Sequence, residues 1–482
     1  MNTPNELVML HLGVGAFHRA HQAWYMHRLR EQQGQQQVLS QAAPSDHWSL
    51  AGGNTRPDML EVMQALAAQG GAYTLETVTP QNERSYERIE SIRSIVPYEP
   101  SLAGLIEVGA HASTRIISFT VTEAGYYQDA NDRLDLTITD LAADLERAKL
   151  GQAGSSIYAA LTAILRERML RGGGKVTLLN CDNLRHNGQR VRSGLLSFIE
   201  LAGDSALHAW VLANTTCPNA MVDRITPRPA PDLRPRVQAA TGWDDAAPVM
   251  GESFIQWVIE DNFCNGRPAW ESVGVQMVES VAAFEEAKIR ILNATHSCIA
   301  WAGTLAGYQY IHEGVHDPRI RKMAYDYVTN DVMPCLDTPA HPSPLPLAAY
   351  RDVVLDRFGN PAIQDTNQRV AADGFAKIPG FIAPTVRECL ARGASIDAVA
   401  MLPALFLGFL QRWHRGQLSY VYQDQAMDAV AAHAICEAAD PVAALAGNTV
   451  LWAELASDPR LVAALRKATA QCDQFIKKAA YQ

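Results

Sequence analysis

The first half of the chain alternates short apolar runs with stretches of helical periodicity. The apolar runs have the length of buried strands and lie at 7–12, 48–53, 73–78, 115–121 and 175–180. The helical stretches between them lie at about 16–32, 58–69, 141–150 and 156–170. Strands separated by helices predict parallel pairing in a sheet that is covered on both faces.

The second half is mostly helical in pattern. From about residue 282, helices are predicted at 282–308, 318–332, 347–357, 385–392, 396–416, 424–438 and 459–478. Two proline-rich connections, 224–236 and 334–346, are predicted to be irregular, because proline lacks an amide donor and disfavours helix before it. We therefore predict an α/β protein with an N-terminal Rossmann-like, doubly wound domain over 1–280. A mostly helical substrate-binding and catalytic domain follows over 281–482.

Charge and composition exclude several classes of function. The 482 residues carry 41 Lys and Arg against 51 Asp and Glu, a net charge of −10, which disfavours binding to nucleic acid or to an anionic membrane. No run approaches the ~20 apolar residues of a membrane span, and the start lacks a signal-peptide pattern, so we expect a cytoplasmic protein. The eight scattered cysteines form neither a disulfide framework nor a metal motif. The oligomeric state stays open, and a monomer is compatible with the sequence.

A glycine turn follows the first predicted strand. Gly13 and Gly15 stand one residue apart between a strand and a helix, where the backbone can approach a pyrophosphate. The third glycine of the usual dinucleotide fingerprint is replaced by His18. A plain tight turn is the alternative, but the position at the first strand–helix junction favours a nucleotide site.

The residue that would hold the adenosine ribose is less clearly indicated. Asp58 is the first carboxylate after the second predicted strand, although an acidic residue in the first turn of a helix explains it equally well. Arg56 could instead receive a 2′-phosphate, so NAD is favoured over NADP only weakly. Three residues just after the glycine turn, His18, Arg19 and His21, could simply be solvated residues of a helix face.

One predicted helix carries a lysine, an asparagine and a histidine among apolar residues. At about 100° per residue, Asn293 lies about 140° and His296 about 80° from Lys288, so the three share one side. Burial would lower the pKa of the lysine from ~10.4 towards neutrality, as a general base requires. Asparagine amides could donate to a developing alkoxide. A snorkelling lysine beside a satisfied core histidine is the alternative.

Two further polar groups follow predicted strands. Asn183 lies in an asparagine-rich segment after the strand at 175–180, and Glu123 lies just after the strand at 115–121. Ligands of open α/β sheets bind at the carboxyl ends of strands. A polar turn closed by Asn-Gly is the plainer explanation of the first segment.

Two other classes of function remain as alternatives. His312, Glu313 and His316 satisfy the H-E-x-x-H pattern of zinc hydrolases, with His341 as one candidate third ligand. Gly314 weakens this helix and Pro318 ends it, which favours a plain histidine pair at a helix end. A non-catalytic dinucleotide-sensing module would have no need of a buried lysine near amides.

The motifs together resemble the polyol-specific long-chain dehydrogenase family, also called the mannitol dehydrogenase family. The resemblance covers most of the chain and rests on GVGAFHRAHQAWY at 13–25, TVTEAGYY at 120–127, LLNCDNLRHNG at 178–188, PNAMVDRITP at 218–227 and KIRILNATHS at 288–297. Further strings at 213–217, 249–258, 296–305, 360–375 and 401–406 are most similar to the members that oxidise D-arabinitol.

The resemblance implies an NAD-dependent, metal-independent oxidation of D-arabinitol to D-xylulose. It implies a small polyol as the binding partner, with mannitol oxidation to fructose and hexuronate reduction as alternatives. The implied catalytic residues are Lys288 as the general base, Asn183 and Asn293 at the oxyanion, His296 at the substrate and Glu123 in proton transfer. The implied substrate-binding residues are Asp223, Arg369 and Lys377, and the implied cofactor-binding residues are Gly13, Gly15, Phe17, His18, Arg19 and Asp58. Spacing alone would make Arg369 and Lys377 solvated charges.

Overall fold

The chain forms two compact units. The computed structural model describes residues 6–40, 47–121, 123–129 and 133–479. One unit consists of Met1–Thr79 and Arg84–Ala282, and the other of Pro80–Glu83 and Ala283–Gln482. Within these described ranges, no helix has both the length and the apolar character that a membrane crossing needs.

The first unit contains twelve described strands in three sheets. They are β1 (Glu6–Leu12), β2 (His47–Gly53), β3 (Tyr73–Val78), β4 (Arg84–Ile89), β5 (Ile92–Ile95), β6 (Thr114–Phe119), β7 (Val176–Asn180), β8 (Thr215–Thr216), β9 (Ala220–Asp223), β10 (Val249–Glu252), β11 (Gln256–Glu260) and β12 (Gln276–Val278). The main sheet has the order β5-β2-β1-β6-β7-β8, and all its strands are parallel. Two smaller mixed sheets have the orders β10-β3-β4 and β12-β11-β9.

The main sheet is buried on both faces. Along β1, Val8 and Leu10 belong to one apolar core, whereas the intervening Met9 belongs to another. Because successive side chains of a strand point to opposite faces, each face of the sheet carries its own core. This arrangement confirms the predicted α/β class with a doubly wound, Rossmann-type N-terminal part.

Helices of the first unit contribute side chains to both cores, and the last of them packs in a smaller apolar cluster. They are α1 (Ala16–Ala20), α2 (Gln22–Ser40), α3 (Leu60–Ala68), α4 (Ala103–Ala110), α5 (Thr139–Lys149), α6 (Ile157–Leu170), α7 (Asn187–Leu201), α8 (Ser205–Asn214) and α9 (Leu233–Thr241). The single helix predicted over 16–32 is in fact two helices, because the backbone at His21 leaves the helical region with φ −123° and ψ −86°. The second of the two continues to Ser40.

The second unit is helical, as predicted. Its α-helices are α10 (Ala282–Ala287, which starts at the last residue of the first unit), α11 (Ala294–Ala306), α12 (Ile311–His316), α13 (Pro318–Tyr327), α14 (Met333–Leu336), α15 (Leu347–Phe358), α16 (Asn367–Ala371), α17 (Gly374–Lys377), α18 (Ala383–Ala391), α19 (Met401–His414), α20 (Ala429–Glu437), α21 (Pro441–Ala446), α22 (Thr449–Trp452) and α23 (Pro459–Ala479). Helix α11 is buried along most of its length and packs against α12, α13, α16 and α19.

Three turns of π-helix interrupt the described helices of this unit. They are Lys288–Asn293, Val328–Val332 and Ile378–Ile382, and each joins two α-helical segments. A π-turn inserts an extra residue into the helix, and such insertions are frequent at functional sites. The prediction of one continuous helix over 282–308 was therefore wrong in its local geometry.

The two proline-rich connections are less irregular than predicted. Helix α9 begins at Leu233, inside the segment 224–236, and Pro235 occupies its first turn. The amide that proline lacks has no intrahelical partner in a first turn, so proline costs little there. Pro334 lies near the start of α14, directly after the π-turn Val328–Val332. Residues 337–346, which follow α14, contain no helix or strand.

Candidate active site

The glycine turn closes tightly against the neighbouring strand end. Gly13 has φ +104°, a region that favours glycine, and a Cβ there would lie 2.3 Å from the carbonyl oxygen of Thr120. A Cβ on Gly15 would meet only the Gly13 carbonyl oxygen, 3.9 Å away. Gly15 directly precedes α1. Because glycine has no side chain, the start of that helix has no side-chain cap. The turn therefore presents open backbone where a phosphate could approach.

The turn lies at the point where the strand order of the main sheet reverses. Strand β1 pairs with β2 on one side and with β6 on the other. The hydroxyl of Thr120, just after β6, donates to the Gly13 carbonyl oxygen at 2.9 Å. Ligands of doubly wound sheets bind in the crevice at such a reversal, so the predicted glycine turn occupies the expected place.

The residues after the turn have different surroundings. His18 is buried and stacks on His11 with ring centroids 3.5 Å apart. Burial and the neighbouring His11 keep the pKa of His18 well below its usual value, so the ring is neutral. Phe17 is half-buried and stacks on His21. Arg19 is buried and donates to the Ala247 carbonyl oxygen, which gives its guanidinium a structural partner inside the unit.

The end of β2 offers little negative charge. The amide oxygen of Asn54, directly after the strand, accepts the backbone N–H of Val14 at 2.7 Å. Arg56 lies 3.8 Å from Asp140 and donates to the hydroxyl of Tyr127. Asp58 is exposed, on a short 3₁₀ turn at Pro57–Met59. The first carboxylate after β2 therefore lies beyond an arginine.

The segment after β7 is a hydrogen-bonded network and the start of a helix. Asp182 accepts the backbone N–H of Val121 at 2.7 Å and the hydroxyl of Tyr126. Asn187, the first residue of α7, donates to the carbonyl oxygens of Asp182 and Ala220 at 2.9 and 2.7 Å. Asn183 is an exposed residue next to this network, which anchors the backbone on which it stands.

Two more predicted residues of the first unit follow strands. Glu123 begins a 3₁₀ turn, Glu123–Tyr126, a few residues after β6, but its side chain lies outside the described part of the chain. Asp223 is the last residue of β9 and is buried, with 5% of its surface exposed. Asp223 is thus a buried carboxylate at a strand end, and Glu123 follows the carboxyl end of β6, where ligands of open α/β sheets bind.

The predicted lysine lies at the start of a π-turn. Lys288 begins the π-helical segment Lys288–Asn293, and only 7% of its surface is exposed. A π-helix bonds residue i to residue i+5, so Lys288 and Asn293 fall on nearly the same side of the helix. They are therefore closer in direction than the about 140° that a regular helix gives.

The π-turn is braced by an ion-pair network on an arginine. The guanidinium of Arg290 binds Glu286 at 2.7 Å and Glu388 through two contacts of 2.8 and 2.7 Å. The hydroxyl of Tyr327 donates to the carbonyl oxygen of Arg290 at 2.9 Å. Bidentate arginine–carboxylate contacts fix geometry well, so this network holds the backbone between Lys288 and Asn293.

His296 lies next to a carboxylate that the sequence did not indicate. Its Nε2 is 3.2 Å from Oδ2 of Asp365, and its ring stacks on Phe358 with centroids 4.3 Å apart. Arg369 donates to both oxygens of Asp365. Burial alone would raise the pKa of Asp365, but His296 and Arg369 hold it below its usual range. Burial lowers the pKa of His296 despite this carboxylate, which favours the neutral ring.

Lys377 is close to this group of charges. Its ammonium donates to the carbonyl oxygen of Val370 at 2.6 Å. Burial lowers its pKa to about 8, with Arg369 acting in the same direction and Asp373 opposing it. Lys377 is therefore a partly buried charge, whereas the Arg369 side chain is 66% exposed, as spacing alone suggested, although it binds Asp365. The missed Asp365 left one signal in the sequence, its position four residues before Arg369 on the approach to α16.

The H-E-x-x-H segment is used differently. Glu313 accepts the backbone N–H groups of Gln309 and Tyr310 at 2.9 and 2.8 Å, so its carboxylate caps helix α12. Within the described ranges, only one group of three metal-ligand side chains is compact, and it is His27, Glu31 and Glu87. The capping role of Glu313 supports the plainer explanation of the motif as a helix end.

Two family domains and two relatives named for their activity match most of the chain. The mannitol dehydrogenase Rossmann domain matches residues 8–272, and the mannitol dehydrogenase C-terminal domain matches residues 280–473. The chain is 60% identical over 468 residues to D-arabinitol 4-dehydrogenase of Ralstonia nicotianae, with 97% of each chain covered. It is 54% identical over 466 residues to D-arabinitol 4-dehydrogenase of Klebsiella pneumoniae, with 97% of this chain and 98% of that one covered.

A solved structure extends the likeness to three dimensions. It is the ternary complex of Pseudomonas fluorescens mannitol 2-dehydrogenase with NAD and D-mannitol, with a TM-score of 0.78 and 31% identity, and it covers 100% of this chain and 98% of that one. The domain matches cover most of the chain, and the sequence relatives are near full length. The chain therefore belongs to the mannitol dehydrogenase family and is a polyol dehydrogenase.

Proposed function

We propose that the protein oxidises D-arabinitol to D-xylulose with NAD and with Lys288 as the general base. The observation that carries the proposal is the burial of Lys288 at the start of a braced π-turn, with Asn293 on nearly the same side. The near-full-length identity to two D-arabinitol 4-dehydrogenases supports the choice of substrate. The glycine turn at the sheet's reversal point supports a dinucleotide cofactor.

The chain's own residues fit a dinucleotide at this turn. Gly13 leaves no room for a side chain, and Gly15 presents open backbone before an uncapped helix start. We propose that Gly13, Gly15, Phe17 and His18 contact the cofactor and that Asp58 reaches the ribose. Arg19 would support the cofactor site indirectly, because its guanidinium donates to the Ala247 carbonyl oxygen. NAD, when bound, supplies the hydride acceptor for the oxidation.

In this mechanism the protein accepts one proton and stabilises one developing negative charge. Lys288 accepts the hydroxyl proton, and Glu123 would pass it towards solvent. The amides of Asn183 and Asn293 donate to the oxygen as it gains negative charge, which is where such donors lower a barrier. His296, Asp223, Arg369 and Lys377 would hold the remaining hydroxyl groups. Asp365 would act as a positioning residue, because it touches both His296 and Arg369.

A substrate panel tests the choice of polyol. We expect the initial rate of oxidation with NAD to be highest on D-arabinitol and lower on D-mannitol. We expect no reduction of a hexuronate with NADH. Carbon-13 NMR of the product would show D-xylulose. A higher kcat/KM on D-mannitol would make the protein a mannitol 2-dehydrogenase, and no NADH with any pentitol or hexitol would favour a non-catalytic dinucleotide module.

Lys377 predicts a pH dependence of substrate affinity. Its pKa of about 8 means that the ammonium is present at pH 7 and largely lost by pH 9. A hydrogen bond from a charged group contributes about 1.5–3 kcal/mol, so KM for the polyol should rise about tenfold as the pH passes through 8. Lys377→Met should show the high KM at both pH values, with little change in kcat. A step in KM that survives in Lys377→Met would assign it to another group.

A further inference from the structure

Two cysteines of the second unit lie close enough to react with one another. The sulfur atoms of Cys335 on α14 and Cys389 on α18 are 3.5 Å apart. Cys335 is partly exposed, whereas Cys389 is buried and its thiol donates to the carbonyl oxygen of Asp331 at 3.6 Å. Oxidation of cysteine depends on access to a thiolate and on a nearby second thiol, and this pair provides both.

The surroundings favour a thiolate on the outer of the two sulfurs. The pKa of Cys335 lies below its usual value through its contact with the Cys389 sulfur, with Arg392 and Arg290 adding positive charge and with burial and the Glu388 carboxylate acting in the opposite direction. The pKa of Cys389 is raised by the same pairing and by burial. The pair therefore loses its first proton from the accessible sulfur and retains the second on the buried one.

We propose that Cys335 and Cys389 are a peroxide-oxidisable dithiol that closes to an intramolecular disulfide and slows the enzyme. The Cys335 thiolate attacks a hydroperoxide, so that an S–O bond forms, the O–O bond breaks, and the departing oxygen takes a proton and leaves as water or an alcohol. Cys389 then attacks the sulfenic sulfur, an S–S bond forms, and hydroxide leaves and takes the Cys389 proton as water. With hydrogen peroxide, two thiols give one disulfide and two waters.

The pair also lies beside the bracing of the lysine π-turn. Cys389 follows Glu388, whose carboxylate makes both contacts to Arg290 in the middle of that turn. A disulfide needs its sulfurs about 2.05 Å apart, so closing the bond draws the two sulfurs together from 3.5 Å and changes the side-chain packing between α14 and α18. Closure also removes the thiol donor to Asp331, which lies in the π-turn that follows α13. Both changes fall next to groups of the Arg290 network, since Glu388 directly precedes Cys389 and Tyr327 directly precedes the π-turn that contains Asp331.

Thiol counting tests the modification without any assay of activity. The full-length protein is treated with hydrogen peroxide, unfolded, and alkylated with N-ethylmaleimide. We expect eight labels by intact mass before treatment and six after it, with one disulfide-linked peptide pair containing Cys335 and Cys389. Cys335→Ser should keep its seven remaining labels, and Cys389→Ser should leave a sulfenic acid that dimedone traps.

A lone cysteine provides the matched control. Cys436 is partly exposed like Cys335 and lies outside the pair. Cys436→Ser should therefore still lose two labels on oxidation, from seven to five. Eight labels in treated wild type, a linked pair other than 335–389, or loss of the bond in Cys436→Ser would overturn the proposal.

Turnover tests the coupling to the π-turn, and this part rests on the proposed function. Oxidised wild type should lose turnover that dithiothreitol restores, whereas Cys335→Ser should keep its turnover in peroxide. A disulfide that forms with turnover unchanged would refute the coupling. Because the label count does not depend on substrate, a wrong assignment of the polyol would leave the thiol result readable.

Discussion

Lys288→Met is expected to lower kcat by about 10²- to 10⁴-fold, the usual contribution of a positioned general base. Methionine keeps the unbranched stem of the side chain inside the second unit and removes only the amine, so packing around the π-turn should change little. The residual turnover should lose its dependence on deprotonation of an amine. Binding of NADH, measured by fluorescence titration, should persist, because the glycine turn belongs to the other unit.

An exposed lysine of the same unit is the control. Lys322 lies on α13, and its side chain is 73% exposed, so Lys322→Met should leave kcat and its pH profile unchanged. In Lys288→Ala, which leaves a cavity where the side chain lay, added small primary amines should restore part of the turnover, and they should restore none of that lost in a variant that is merely misfolded. Wild-type turnover in Lys288→Met would remove the lysine from the mechanism.

Four of the six strands of the main sheet could be predicted because they are buried on both faces, whereas the short β5 and β8 were missed. Strands β1, β2, β6 and β7 are near-continuous apolar runs, and such runs are the signal that burial on two faces leaves in a sequence. The predicted run at 73–78 is also a strand, but it belongs to a small separate sheet with β4 and β10. Periodicity within a segment does not show which partner that segment has, so strand pairing was not predictable.

The short strands were missed for a related reason. Strand β4 is mostly polar in RSYERI and shows no regular alternation, and β9 to β12 have only three to five residues each. Windows of that length carry little periodic signal, and their stability comes from tertiary contacts. The same limit applies to Asp365, whose partner His296 lies 69 residues away in the sequence but 3.2 Å away in the fold.

The lysine helix shows where sequence geometry fails in detail. A regular helix would place Asn293 about 140° from Lys288, so the two residues were predicted to share one broad side of the helix and not to be aligned. The π-turn adds one residue to the helix and places the two positions closer to one side of it than a regular helix would. Ile289, Ile291 and Leu292 are buried around it, so the turn is maintained by packing that the local sequence does not reveal.

The alignment of Lys288 with Asn293 makes the asparagine the second residue whose loss should be severe. Asn293→Ala should lower kcat by about 10²- to 10³-fold, the cost of removing one donor to a developing oxyanion. KM for the polyol should change much less, because the donor acts most strongly when the oxygen carries negative charge. Initial rates over a range of D-arabinitol concentrations separate the two parameters.

Asn293→Asp is the sharper variant, since it keeps the size of the side chain and replaces the donor by a negative charge. We expect its kcat below that of Asn293→Ala at pH 8, because a carboxylate repels the alkoxide and also favours the protonated form of Lys288. The matched control is Asn330, an exposed asparagine in the π-turn Val328–Val332 of the same unit, where the substitution to Asp should leave kcat unchanged. If Asn293→Asp retained wild-type kcat, the oxygen would have to be stabilised by other donors, and the π-turn would serve to place the lysine alone.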